Sequence, residues 1–306
     1  MTMVTIVEVG LRDGLQNEEA ILPLEVKREI ATGLMAAGLT ELEITSFVHP
    51  RWIPQLADAE EFANTLSISE GVTTRALVPN RRGLERALHT PVDEIAVFLS
   101  VSETHNRQNI NKSVKDTLLA LREVTAEAKH RGKRVRGYLS TVFGCPFEGE
   151  VSLTQTALIC TELLKMGVYE ISLGDTIGVA TPRQVQEILK SLTKEIPTAQ
   201  LAGHFHDTRG TALTNAYVAL EVGVTTLDSS FGGLGGCPYA PGASGNVATE
   251  DLVYMLEGMG EKTGVDLDAL CWVSDRAGRY MGKALPSKVF NAWLATRRLK
   301  EEKSHE

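Results

Sequence analysis

The sequence predicts a TIM-type (β/α)8 barrel carrying a short helical appendage at its C-terminal end. Eight short β-rich runs alternate with longer stretches of helical spacing, the pattern of parallel strands joined by crossover helices. The eight units fill about 250 residues, the usual size of this barrel, and no Pro/Gly/Ser-rich linker interrupts them. A chain of 306 residues is also longer than most single domains unless it is such a barrel. A doubly wound sheet is the alternative.

The expected strands are TIVEVG (5–10), LTELEITSFV (39–48), TTRALVP (73–79), EIAVFLSV (94–101), RVRGYLSTV (134–142), VYEISLGDT (168–176), LAGHFHD (201–207) and TTLDSSF (225–231). After the first, Pro23 opens a helix with Val26, Ile30 and Leu34 at spacings of four, and Gly38 stops it. After the fourth, Ser113 precedes Val114, Leu118 and Leu121, with Gly132 beyond the helix. Thr181-Pro182 starts another helix, carrying Val185, Ile188, Leu189 and Leu192. Thr249 is expected to cap a helix ending near Gly258. Residues 1–306 then form one catalytic domain, with 265–299 as the helical appendage and 300–306 as a solvated tail.

Hydrophobic residues at 43% supply a sizeable core and exclude disorder as a description of the whole chain. A net charge of -8, from 31 basic and 39 acidic residues with no basic block, argues against nucleic acid or anionic membrane as a partner. Runs such as IAVFL at 95–99 fall far short of the roughly 20 apolar residues that span a bilayer. Four cysteines (Cys145, Cys160, Cys237, Cys271) without a CxxC pair, and no visible leader, point to the cytoplasm.

Barrel strands deliver chemistry at their C-terminal ends, where this chain places Arg12, Asp13, Glu43, Ser46, Asp175, Thr176, His204, His206 and Asp207. His204 and His206 are two apart on one strand and share a face. Taken alone, the pair is either a metal site or two hydrogen-bonded core histidines. Asp13, just after the first strand, adds a hard oxygen ligand; two His, one Asp and an amide suit octahedral Mg2+ or Mn2+, with zinc as the alternative. The loop after strand eight, GGLGGCPYAPGASGNVATED, is glycine-rich and holds Cys237, either a small buried hydrophobe or a mobile acid or base closing over substrate. Asn246 is a turn residue or a fourth ligand, and Glu250 is open to a bland reading as a first-turn acid.

VEVGLRDGLQNE (7–18), ITSFVHPRWIPQLAD (44–58), GCPFEG (144–149), YEISLGDTIGVATP (169–182) and GLGGCPYAPGASGNVATEDLVYMLEG (233–258) together make the chain resemble the 3-hydroxy-3-methylglutaryl-CoA (HMG-CoA) lyases nearly end to end. The resemblance implies a homodimer acting on an acyl-CoA, with Asp13, His204, His206 and Asn246 holding Mg2+ or Mn2+. It implies catalytic roles for Arg12, Glu43, Asp175, His206, Cys237 and Glu250, and substrate contacts from Arg12, Gln16 and Thr176. The reaction would split a tertiary 3-hydroxyacyl-CoA between C2 and C3, giving acetyl-CoA and acetoacetate. The metal would acidify the hydroxyl, His206 or Asp175 would take its proton, and Arg12, oriented by Glu43, would offset enolate charge. Cys237 would return a proton to carbon.

Two stretches depart from that pattern. SETHNRQNI (102–110) resembles the related Claisen-type synthases, and Arg209 stands where animal lyases carry an aromatic residue; both are expected near the acyl pocket. The alternatives are a lyase for another tertiary hydroxyacyl-CoA such as citramalyl-CoA, an isopropylmalate-type synthase, and a barrel that binds without catalysis.

Overall fold

The computed structural model describes residues 3–236 and 245–304, with side chains through residue 299. Eight strands appear in the expected order: β1 (Thr5–Glu8), β2 (Glu41–Ser46), β3 (Thr73–Leu77), β4 (Glu94–Ser100), β5 (Arg134–Ser140), β6 (Ile171–Asp175), β7 (Leu201–Phe205) and β8 (Thr226–Ser229). Each pairs in parallel with its sequence neighbour, and β8 pairs with β1 from Thr5↔Thr226 to Glu8↔Ser229, so the sheet closes. Closure removes the doubly wound alternative. Each strand is shorter than the run that announced it, with residues lost at both ends in β2, β6 and β8.

The helices are α1 (Leu24–Ala36), α2 (Ala59–Thr65), α3 (Arg81–Ala87), α4 (Glu103–Ile110), α5 (Val114–His130), α6 (Leu153–Met166), α7 (Pro182–Leu192), α8 (Ala212–Val222), α9 (Thr249–Gly258), α10 (Leu267–Met281) and α11 (Lys288–Ser304). In α1, Val26, Ile30 and Leu34 are buried as their spacing requires. Gly38 follows at φ 97°, and a Cβ there would stand 2.2 Å from the Gly264 carbonyl oxygen, so this stop is also a close backbone approach. The Ser113 hydroxyl accepts from Asp116 N at 3.0 Å to cap α5, and Thr181 caps α7 with Pro182 in its first turn.

Thr249 is not a cap. Ala248 precedes the helix, and the Thr249 hydroxyl donates to Glu8 Oε2 at 2.6 Å and meets Ser229 Oγ at 2.8 Å. The buried Glu8 carboxyl on the adjoining strand β1 outcompetes the local amides that a cap would serve. Helix α4 falls in the SETHNRQNI stretch, where no helix was expected, and is capped by Ser102. Helices α10 and α11 form the appendage; Val273 of α10 fills the space over Gly33 of α1. Among the described residues, no helix is long and apolar enough to cross a membrane.

The apolar core lies chiefly between strands and helices. The barrel interior is different. Arg136 on β5 reaches Asp228 on β8 at 2.8 Å, and Tyr138 on β5 donates to Glu43 on β2. Neither pair belongs to adjacent strands, so these side chains meet across the lumen, in a network that is buried throughout. Charges taken this far from water persist only when partnered.

Candidate active site

The site begins with a five-residue π turn, Gly10–Gly14, that follows β1. The amides of Arg12, Asp13 and Gly14 all converge on Val9 O at 2.7–3.2 Å. A Cβ on Gly10 would meet Phe231 at 2.4 Å and Glu8 Oε1 at 2.6 Å, so only glycine packs there. This turn aims Arg12 and Asp13 at the centre of the mouth.

Arg12 is held on three sides. Its Nε donates to Glu43 Oε1 at 2.8 Å, its Nη1 pairs with Asp13 Oδ1, and its guanidinium carbon lies 5.1 Å from the Tyr138 ring centre. Although burial opposes its charge, Glu43 and Asp13 outweigh burial and keep the guanidinium protonated.

Asp13, His204 and His206 offer one ligand atom each, all within 4.8 Å of one another. The two Nε2 atoms are 3.3 Å apart, and each lies 3.9 Å from Asp13 Oδ2. Cis ligands held about 2.1 Å from one octahedral ion stand about 3 Å apart, so this spacing fits a shared divalent cation. Burial, then proximity to His204, pushes His206 down to about 4, leaving it neutral as a ligand must be. Burial would raise Asp13, yet the charge of Arg12, with the two histidines, holds its carboxyl below the ordinary range. His206 Nδ1 is buried and has no hydrogen-bond partner among the described residues. The donor set therefore fits a divalent metal.

Asn246 arrives from a different part of the chain. Residues 245–248 run between the ends of β7 and β8, bridging His206↔Asn246 and Ser230↔Ala248. That placement lets Asn246 Nδ2 donate to Asp13 Oδ2 at 2.8 Å. Gln16 Nε2 donates to the other Asp13 oxygen at 3.0 Å.

Over this cluster opens a cavity of about 560 Å³, lined among others by Arg12, Gln16, Tyr138, Thr176, His204 and Gly236. His105, Asn109 and Ile110 also line it, so the SETHNRQNI stretch reaches the pocket. Arg209 does not; it donates to the carbonyls of Ile177 and Gly178 at 3.0 and 2.9 Å. Asp175 and Glu250 lie behind the lining. Asp175 accepts from Val179 N and Ala180 N, at 2.9 and 3.1 Å, and burial raises it to about 6. Both Glu250 oxygens accept from Gly232 N at 2.9 Å and the carboxyl takes the Ser274 hydroxyl, with burial raising it to about 7. Cys237 lies outside the described residues; the Gly236 carbonyl before it accepts from Asn17 at 2.9 Å.

Several participants escaped the sequence reading. Tyr138 lies against the Arg12 guanidinium and donates its hydroxyl to Glu43. Asp228 accepts from Arg136, from Ser172 at 2.6 Å, and from His204 Nδ1 at 3.1 Å. Glu8 ties Gly10 N, Phe231 N and Thr249 together at 2.7, 3.0 and 2.6 Å. The available signal was a charge inside a short strand, as in RVRGYLS or TTLDSSF.

Residues 3–276 match the HMGL-like family. The chain belongs to it. Among HMGL-like proteins, it is 53% identical over 285 residues to a hydroxymethylglutaryl-CoA lyase of Bacillus subtilis, covering 93% of this chain and 95% of that one. A 3-hydroxy-3-isohexenylglutaryl-CoA/hydroxymethylglutaryl-CoA lyase of Pseudomonas aeruginosa is 47% identical over 292 residues, with 95% and 97% covered. An HMG-CoA lyase of Acinetobacter baumannii, solved with coenzyme A and 3-methylmalate, superposes with a TM-score of 0.92 at 38% identity, covering 95% and 97% of the two chains.

Proposed function

We propose that this HMGL-like protein cleaves 3-hydroxy-3-methylglutaryl-CoA to acetyl-CoA and acetoacetate. The observation that carries the reading is the cluster of Asp13, His204 and His206 beside a buried, ion-paired Arg12 at the floor of one cavity. A divalent cation, Mg2+ or Mn2+, held by these three residues and Asn246 would supply Lewis acidity at the substrate hydroxyl.

The chain's own groups do the rest. His206, which lines the cavity, takes the hydroxyl proton, with Asp175, raised to about 6 by burial behind the lining, as the alternative base. As the alkoxide collapses to the ketone of acetoacetate, the C2–C3 electron pair passes to the thioester as an enolate. Arg12, held against rotation by Glu43 and Asp13, presents its guanidinium to that oxygen. Cys237, which follows the pocket-lining Gly236, returns a proton to C2 and completes acetyl-CoA. Gln16 and Thr176 contact the acyl group, while Glu250 acts by holding the Phe231–Gly233 turn that leads into the cysteine loop. The cavity shares Val48, Trp52, Pro79 and Asn80 with a groove of about 870 Å³ carrying Arg51 and Arg82, a path suited to the phosphate-bearing CoA tail.

The protein is expected to work in the cytoplasm as a homodimer. Purified protein incubated with HMG-CoA and Mg2+ should release acetoacetate and acetyl-CoA. Release of a different keto acid, from a panel of tertiary hydroxyacyl-CoAs only, would overturn the substrate assignment.

A further inference from the structure

Asp228 is wholly buried on β8, and the register places it directly opposite His204 on β7. Its Oδ2 faces His204 Nδ1 at 3.1 Å and accepts the Ser172 hydroxyl at 2.6 Å. Its Oδ1 accepts from Arg136 Nη2 at 2.8 Å, while Nη1 lies 3.3 Å from Oδ2. Arg136 is itself fixed by Glu170, at 2.6 Å from its Nε. Every neighbour of this carboxylate is therefore a donor. An imidazole nitrogen facing such an oxygen must carry its hydrogen there. The other nitrogen, Nε2, is left with its lone pair, aimed at Asp13 and His206.

We propose that Asp228 is a positioning residue of the metal site, which fixes His204 as the tautomer protonated at Nδ1 and so readies Nε2 as a ligand. This rests on the metal reading given above. The alternative is that Asp228 serves only as the counter-ion of Arg136.

Asp228→Asn separates the two. A side-chain amide has one accepting oxygen, and the charged Arg136 claims it. The amide NH2 then takes the place of Oδ2 and donates to His204 Nδ1, which drives the ring hydrogen onto Nε2, where the metal belongs. A role confined to Arg136 would lower stability without touching the tautomer.

The first measurement needs no variant: long-range 1H–15N NMR of histidine-labelled, metal-free wild type at about pH 9, above the ordinary histidine range. His204 is assigned by loss of its peaks in His204→Gln. It should show hydrogen on Nδ1, and on Nε2 in Asp228→Asn. In the second, Mn2+ titrated into each protein and followed by the EPR signal of the free ion should bind Asp228→Asn about 10–100-fold more weakly than wild type. Ser172→Ala, which keeps the His204 contact, should stay within a few-fold of wild type. An Nε2-protonated His204 in the wild type, or wild-type Mn2+ affinity in folded Asp228→Asn, overturns the proposal. Failure of the wild type itself to bind Mn2+ overturns the metal reading instead, and the tautomer result stands apart from it.

Discussion

Arg12 Nε stands 2.8 Å from Glu43 Oε1, with Nη2 3.3 Å from Oε2, so a buried side chain from the π turn after β1 and one from β2 meet fork to fork. That geometry removes the rotational freedom a long side chain would otherwise lose when charge develops in front of it.

If Arg12 works on enolate charge, Arg12→Gln should lower kcat by about 10²–10³-fold and leave KM nearly unchanged. Glu43→Gln keeps the shape of the fork but weakens its grip, and should cost less in kcat than the arginine variant. Steady-state kinetics with HMG-CoA checks both. A change confined to KM would assign Arg12 to binding alone.

Removal of the divalent cation by chelation should abolish turnover, and Mn2+ or Mg2+ should restore it. His206→Ala should lose metal affinity while keeping its circular dichroism and melting transition, because polar groups at the mouth of the barrel contribute little to the apolar core. Full activity after exhaustive chelation excludes the metal-dependent route.

The described cysteines set a contrast with Cys237. Cys145, Cys160 and Cys271 are all buried, and burial pushes the thiols of Cys160 and Cys271 up to about 12, where they are inert. Alkylation should therefore inactivate through Cys237, and a bound substrate analogue should slow it. Cys237→Ser should bind substrate yet lose orders of magnitude in kcat, since a hydroxyl is a far weaker acid than a thiol of ordinary pKa about 8.5. Near-normal turnover in that variant removes the cysteine from the chemistry.

Glu8 links the protein's stability to pH. Burial raises its carboxyl to about 8, against the hydrogen bonds from Thr249, Phe231 and Gly10 that pull it down. An acid raised on folding binds its proton more tightly in the native state. Its stabilising contribution is complete below the unfolded value near 4.5 and is lost as pH climbs through about 8. Urea titrations should show wild type losing stability relative to Glu8→Gln across that window. Parallel curves from acid to about pH 9 would mean that folding leaves the Glu8 pKa unshifted.

The architecture and most of the mouth follow from local patterns in the chain. The alternation of periods two and 3.6 named eight strands and the helices between them, and Asp13, His204 and His206 were legible because chemistry-bearing residues at strand ends must converge in a closed barrel. Which groups stand behind them was decided only by tertiary structure. Arg136 and Asp228 are 92 positions apart, and Thr249 looked like a cap until Glu8, 241 residues distant, claimed its hydroxyl. Local propensity reports what a residue can satisfy nearby. A buried charge or hydroxyl instead takes its strongest partner in space, and that choice is set by the strand register and by barrel closure, which bring β1 to β8 and turn Tyr138 and Asp228 into the same lumen.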